Sequence, residues 1–305
     1  MTFRLVVAAL LLLALEPSDA LAWTPGTHIL LGEAVLRAVA LLPATLGALL
    51  TAHRWDFLYG SIAADTSIAK KYARFGRHCH SWTVGFEILH KARDERLEAF
   101  AWGYLAHLAA DVVAHNHFVP HQLAATSSTT ALGHSYWESR FETHLSQVFP
   151  RRAVQVIRRD HSASDAHLDR VLSPTIFSTA TNRRIFRGMV HATDNAGWQR
   201  VFAVVAANSR WDLAETTVAA HLARSYDYVM DLLIREAGSE AYTWDPSGER
   251  ALRSAKRVRR EAVRDGRFGA AVDEARAKFG LQPTPLRYAA ALPEPLYLPA
   301  RPPIS

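Results

Sequence analysis

Between residues 104 and 142 the chain reads YLAHLAADVVAHNHFVPHQLAATSSTTALGHSYWESRFE, and five of its side chains have metal-ligand chemistry at helical spacing. His107, Asp111 and His115 follow one another at steps of four, and His134 and Glu138 repeat that step further on. Residues four apart share one helix face with neighbouring Cβ atoms. Two such helices facing each other would aim imidazoles and carboxylates into one small volume. Imidazole with carboxylate is the donor set of zinc.

Nine of the fifteen histidines fall between His78 and His144, far more than an even scatter would place there. A single histidine on a helix is more often a satisfied core or surface residue than a ligand. His53, His90, His121, His144, His161, His167, His191 and His221 are read that way. The set His80, His107, Asp111, His115 or His117, His134 and Glu138 is different. Buried without a metal, its members would leave several polar groups unsatisfied, each costing about 1–3 kcal/mol. Asp65 joins the set because its context, LYGSIAAD, is apolar and a carboxylate there needs a partner.

The elements that must position these residues are helices. No β-hairpin signal and no useful apolar–polar alternation occurs, whereas apolar positions three and four apart recur throughout. Helices are expected over 27–42 and 43–53, then over 94–117 ending before Pro120, and over 133–148 stopped by Pro150. Further ones are expected over 182–208 and 211–237, with a mixed region at 151–181. Residues 55–82 read as an irregular connection carrying a site, and 121–130 as a Ser/Thr loop. The fold class is therefore all-α. With 305 residues and 49% apolar content, the chain can bury one large core or two small ones. A single cysteine, Cys79, excludes an intrachain disulfide, so packing or metal must hold the fold.

The formal net charge is +6 and the pI about 9.6. This mild excess favours anionic partners, phospholipid headgroups or nucleic acid, without choosing between them. Residues 1–22 carry Arg4, an apolar run over 5–15 and small residues before a cut after Ala22, the pattern of a secretory signal. The run is shorter than the ~20 residues of a spanning helix. An exported protein, periplasmic or extracellular, with Trp23 as its new N-terminus is expected. The helical domain is expected over 23–245. Residues 249–279 form an Arg-rich helical pattern, and a proline-rich tail follows from 282. That helix reads as solvated and packed by its Ala/Val/Phe face, because it lacks the Trp or Leu stripe of a helix lying flat in a lipid interface.

In order along the chain, these residues resemble the zinc-dependent phospholipase C family, whose all-helical fold is shared with the S1-type nucleases that cleave single strands. The family's N-terminal Trp and first His correspond to Trp23 and His28 in WTPGTH, and its next Asp to Asp65 in GSIAAD. The following His corresponds to His80 in HSW, the His-x-x-x-Asp pair to His107 and Asp111, and the late His-x-x-x-Glu pair to His134 and Glu138 in GHSYWE. The resemblance runs from residue 23 to 142. One position departs from it. The family places its next His six residues after the Asp, following a proline; here that residue is His117, with no proline before it. A helix that runs on instead keeps His115 on the face of His107 and Asp111.

The resemblance implies a single-domain fold with a tri-zinc cleft, holding up to three Zn2+. Trp23, through its amine and carbonyl, would share one ion with His28 and Asp111. Asp111 would bridge to a second held by Asp65, His80 and His107. His115 or His117, with His134 and Glu138, would hold a third. Zinc-activated water would then hydrolyse a phosphodiester with Asp65 orienting or deprotonating it. The expected function is a phospholipase C-type hydrolase acting on phospholipid at a membrane surface. The alternatives are a nuclease of the same fold or a catalytically degenerate metal-binding module. Glu138 is the phospholipase choice at its position, and no Arg/Lys cluster interleaved with aromatics adjoins the motif, which disfavours nucleic acid. Trp55, Phe57, Tyr59, Trp82, Phe118 and Tyr136 are read as core, or as the lining of an apolar cleft that would take acyl chains or stack bases equally well. No protein partner is expected.

Overall fold

Pro25, in the first turn where its missing N–H costs nothing, opens helix α1, Pro25–Arg37. A 3₁₀ turn, Val39–Leu41, and Pro43 lead into α2, Ala44–Ala52. Helix α3, Arg54–Ala63, tightens into a 3₁₀ turn, Ala64–Thr66, that carries Asp65. After α4, Trp82–His90, comes the long α5, Glu95–Val113. Its start is built for a helix. The Asp94 carboxylate accepts from the Leu97 amide at 2.9 Å, and Glu95 and Glu98 lie in the first turn against the dipole's positive end. A π-helical turn, Ala114–Phe118, joins α5 to α6, Val119–Ala125. The rest are α7, Gly133–Glu142; α8, Val148–Ile157; α9, Ser162–Asp169; α10, Thr179–Thr193; and α11, Glu215–Arg235. Two basic helices follow, α12, Glu249–Asp265, and α13, Phe268–Phe279. This computed structural model describes residues 23–67, 78–126, 133–193, 200, 204, 208–209 and 211–296, and no strand occurs among them.

Helix α5 is the axis of the molecule. From Ala99 to Val113 every residue is buried, as a helix apolar on all sides must be. Helix α3 packs along it backbone to backbone. A Cβ placed on Gly60 would run into the Phe100 carbonyl, and one on Gly103 into the Phe57 carbonyl. This close approach sets the Asp65 turn beside the face of α5 that carries His107 and Asp111. Trp23 packs at the C-terminal end of α5. Its indole lies 5.3 Å from the Phe118 ring and 4.2 Å from Phe141, and Nε1 donates to the Ala110 carbonyl, one residue before Asp111.

The chain departs from the sequence-based reading at several punctuation residues. The irregular connection expected over 55–82 is instead helical as far as Thr66, because Gly60 serves a helix contact rather than a break. The helix expected to end before Pro120 runs on through the π turn. A proline ring collides with the carbonyl four residues earlier, here that of Asn116, and the wider turn takes up that conflict. Part of the expected Ser/Thr loop is therefore α6, while 127–132 lie outside the described residues. Pro150 does not stop a helix but sits in the first turn of α8, a position proline tolerates. The single basic pattern over 249–279 is two helices parted at Gly266, whose φ is +65°. The leader, 1–22, and the end of the proline-rich tail lie outside the described residues.

Candidate metal centre

Three groups of donors converge: His28, His107 and Asp111; Asp65, His80 and His107; and His115, His134 and Glu138. In each, the donor atoms lie within 4.8 Å of one another, and every one of these residues is buried. Tetrahedral zinc with bonds of ~2.0–2.1 Å places its ligand atoms about 3.4 Å apart, within that spread. The groups adjoin. His28 stacks on His107 at 3.9 Å, and the His80 ring stands 6.0 Å from that of His115. Asp111 reaches both of the first two groups, with Oδ1 3.2 Å from His28 Nε2 and Oδ2 2.8 Å from His80 Nε2 and 3.0 Å from His107 Nε2. Asp65 Oδ1 lies 3.4 Å from His80 Nε2 and 3.8 Å from His107 Nε2.

The outer partners of the imidazoles fix which nitrogen carries the proton. His107 Nδ1 faces the Ser61 carbonyl at 3.0 Å, and His115 Nδ1 the Pro246 carbonyl at 2.8 Å. A carbonyl only accepts, so both Nδ1 atoms donate, and each neutral ring turns a bare Nε2 inward. His107 Nε2 then confronts His80 Nε2 at 3.1 Å and Asp111 Oδ2 at 3.0 Å. Imidazole nitrogens and carboxylate oxygens gathered this closely in a dry cavity form a donor set that a metal cation stabilises. Extra protons are a poor substitute: burial, and then the neighbouring His107, push the His28 pKa down. Burial alone would raise the Asp111 carboxyl, but the imidazoles of His107, His28 and His80 hold it well below the ordinary carboxylate value. Closeness does not amount to bonding, however. His28 Nε2 and both Asp111 oxygens are sealed from solvent without a hydrogen bond of proper geometry. The residues fit zinc.

Of the two candidates after Asp111, His115 is the one the structure brings to His134 and Glu138, its ring 5.4 Å from that of His134. His117 is turned away. Its Nδ1 meets the Phe279 carbonyl at 3.2 Å and its ring meets Trp244 edge-on at 5.0 Å. The π turn holds this arrangement through Asn116, whose amide donates to the Val112 carbonyl at 3.0 Å and the Asp245 carbonyl at 2.8 Å. The Trp23 side chain is wholly buried beside α5. Phe57, Tyr59 and Phe118 are core residues, whereas Trp55 is half-buried at the edge of the core beneath Arg54, Arg152 and Arg159. His53, His144, His161, His167 and His221 have hydrogen-bond partners that belong to none of the three groups.

Sequence reasoning missed the strap formed by residues 244–248, which closes over the third group. The Trp82 indole donates to the Trp244 carbonyl at 2.8 Å, Asp245 and Pro246 accept as above, and Gly248, at φ +59°, lies against the backbone of His115. Nearly all of these contacts use main-chain atoms, which no motif marks.

A family model described as zinc dependent phospholipase C matches residues 27–182, just over half of the chain and all the donors of the three groups. No curated protein and no solved structure matches.

Proposed function

The chain belongs to the zinc-dependent phospholipase C family, and from that premise we propose that it is an exported phosphodiesterase that hydrolyses phospholipids. The observation that carries this reading is the convergence of three buried imidazole–carboxylate groups through His107, Asp111 and the neighbouring rings of His80 and His115. His28 and Asp111 would hold one zinc ion, Asp65, His80 and His107, with the other oxygen of Asp111, a second, and His115, His134 and Glu138 a third. Bound there, zinc supplies a water of lowered pKa and positive charge facing the phosphate oxygens.

The chain's own residues do the rest. Ser61 and Pro246 hold His107 and His115 in the tautomer that presents Nε2. Asp65, whose Oδ1 lies between His80 and His107, orients the attacking water and accepts its proton. Removal of the leader after Ala22 would free the amine of Trp23, whose indole is already fixed one residue from Asp111, to join the first group together with the Trp23 carbonyl. Among the described residues no helix is long and apolar enough to cross a membrane.

The test is metal content and hydrolysis by the protein beginning at Trp23. Two to three zinc ions per chain, reduced in Asp111→Asn, with chelator-sensitive cleavage of phosphatidylcholine, are expected. Cleavage of single-stranded DNA in preference to phosphatidylcholine would replace the phospholipase with a nuclease. Zinc without cleavage of either would leave a binding module.

A further inference from the structure

Helices α12 and α13 form a hairpin whose inner face is made of small residues. Ala255, Val258 and Ala262 of one helix and Ala271, Ala275 and Phe279 of the other are buried. That use of the apolar positions explains the solvated reading of the sequence, but the turn between the helices is not accounted for by it. Every residue from Val263 to Ala270 is exposed. Two of them are large and apolar, Val263 at 53% and Phe268 at 54% exposure.

Cations surround this tip. Residues 249–279 hold ten arginines and lysines against five carboxylates. Lys256, Arg259 and Arg260 precede Val263 by seven, four and three residues and so share its helix face. Arg264 and Arg267 flank the turn and hold Asp265 between them at 2.8 and 2.6 Å, which cancels the one carboxylate at the apex. Glu261, the remaining acid nearby, is outnumbered. The root of the hairpin is tied to the body of the protein, where the Phe279 carbonyl meets His117.

We propose that this tip docks the protein on anionic phospholipid bilayers, with Phe268 and Val263 entering the interface and the arginines pairing with lipid phosphates. An exposed apolar pair at the end of a helical hairpin, flanked by guanidinium groups, matches an interface whose outer layer is anionic and whose next layer is hydrocarbon. A soluble polyanion would match the arginines but would leave the apolar pair without a role. The hairpin presents no other exposed aromatic residue on which bases could stack. The inference does not require the hydrolase reading, because adsorption is measured whether or not lipid is cleaved.

The test is co-sedimentation of the full chain with vesicles of phosphatidylcholine alone and of phosphatidylcholine with phosphatidylserine. Adsorption is expected on the second kind, falling as salt is raised. The double variant Val263→Ser, Phe268→Ser should weaken it about tenfold or more, given the area those side chains would bury. Arg264→Glu with Arg260→Glu should weaken it by at least as much, at roughly fivefold per charge removed. All four positions are exposed, so zinc content and circular dichroism should match those of the unaltered chain. Failure to adsorb on anionic vesicles would overturn the proposal. So would adsorption that the serine variant leaves intact, because the apolar pair at the tip would then take no part in docking.

Discussion

Single residues on one helical turn have separate duties here. His115 presents Nε2 to His134 and Glu138, while His117, two positions on, packs against Trp244 and Phe279. His115→Ala should therefore remove one zinc ion per chain. His117→Ala should leave the metal content unchanged and lower stability by about 1 kcal/mol for the lost bond and contact. Metal analysis of both variants decides between them, and zinc loss in His117→Ala would reverse the assignment. Glu142 has a different role. It faces Thr24 and Gly26 at the start of α1, and burial pushes its carboxyl up to about 7. A carboxyl raised on folding stabilises the native state fully below about pH 4.5, and that contribution is lost as the pH climbs through 7. Glu142→Gln, which keeps the acceptor and removes the charge, should add on the order of 1–3 kcal/mol of stability at pH 8, read as a higher melting temperature, and change little at pH 4. Equal melting of the two proteins across that range would show that the ionised carboxylate is well solvated.

At the scale of elements, two devices place the donors. The Gly60–Gly103 contact brings the Asp65 turn to α5, and the 244–248 strap holds His115 from above. Gly248 combines a positive φ with a position where a Cβ would meet the backbone and Cβ of His115. Gly248→Ala should weaken zinc binding at the third group by roughly 10–100-fold, the usual effect of disturbing an outer partner of a ligand. Gly266 supplies the control, since its φ is +65° and nothing lies near its missing Cβ. Gly266→Ala should incur the left-handed strain of about 1–2 kcal/mol and leave zinc affinity alone. Competition with a chelator of known affinity reads both variants. Equal zinc affinity in the two would mean that the strap does not support the third group.

Over the whole molecule, the site was legible where its order coincides with the helical period. His107, Asp111 and His115 lie on one face, as do His134 and Glu138, so spacing alone revealed them. Asp65 and His80 are far from that stretch, and only their apolar context and their order along the chain connected them to it. The strap was hidden because Asp245 and Pro246 act through carbonyls, which every residue possesses. The π turn was hidden because the partner of Asn116 is distant in sequence. For the strap tertiary contacts decided the outcome, and for the π turn they acted together with the local clash at Pro120.

The donors also set how the molecule responds to losing its metal. Asp111 is buried, its oxygens sealed among imidazoles that complete no hydrogen bond to them. With zinc bound, that charge is compensated, and an ion at a thousand times its dissociation constant adds about 4 kcal/mol to folding stability. With zinc stripped, the carboxylate keeps the imidazoles of His107, His28 and His80, which despite burial hold its pKa well below the ordinary value, so its charge still contributes a smaller share of stability at neutral pH. Asp111→Asn removes both contributions. The amide binds zinc poorly and forgoes the larger gain, and as a neutral group it also loses the attraction of the imidazoles. The unaltered chain should therefore melt higher in zinc, by roughly 10 °C for a chain of this size, and the gap should narrow in chelator. An equal gap under both conditions would mean that a protein group rather than a metal is the main partner of Asp111.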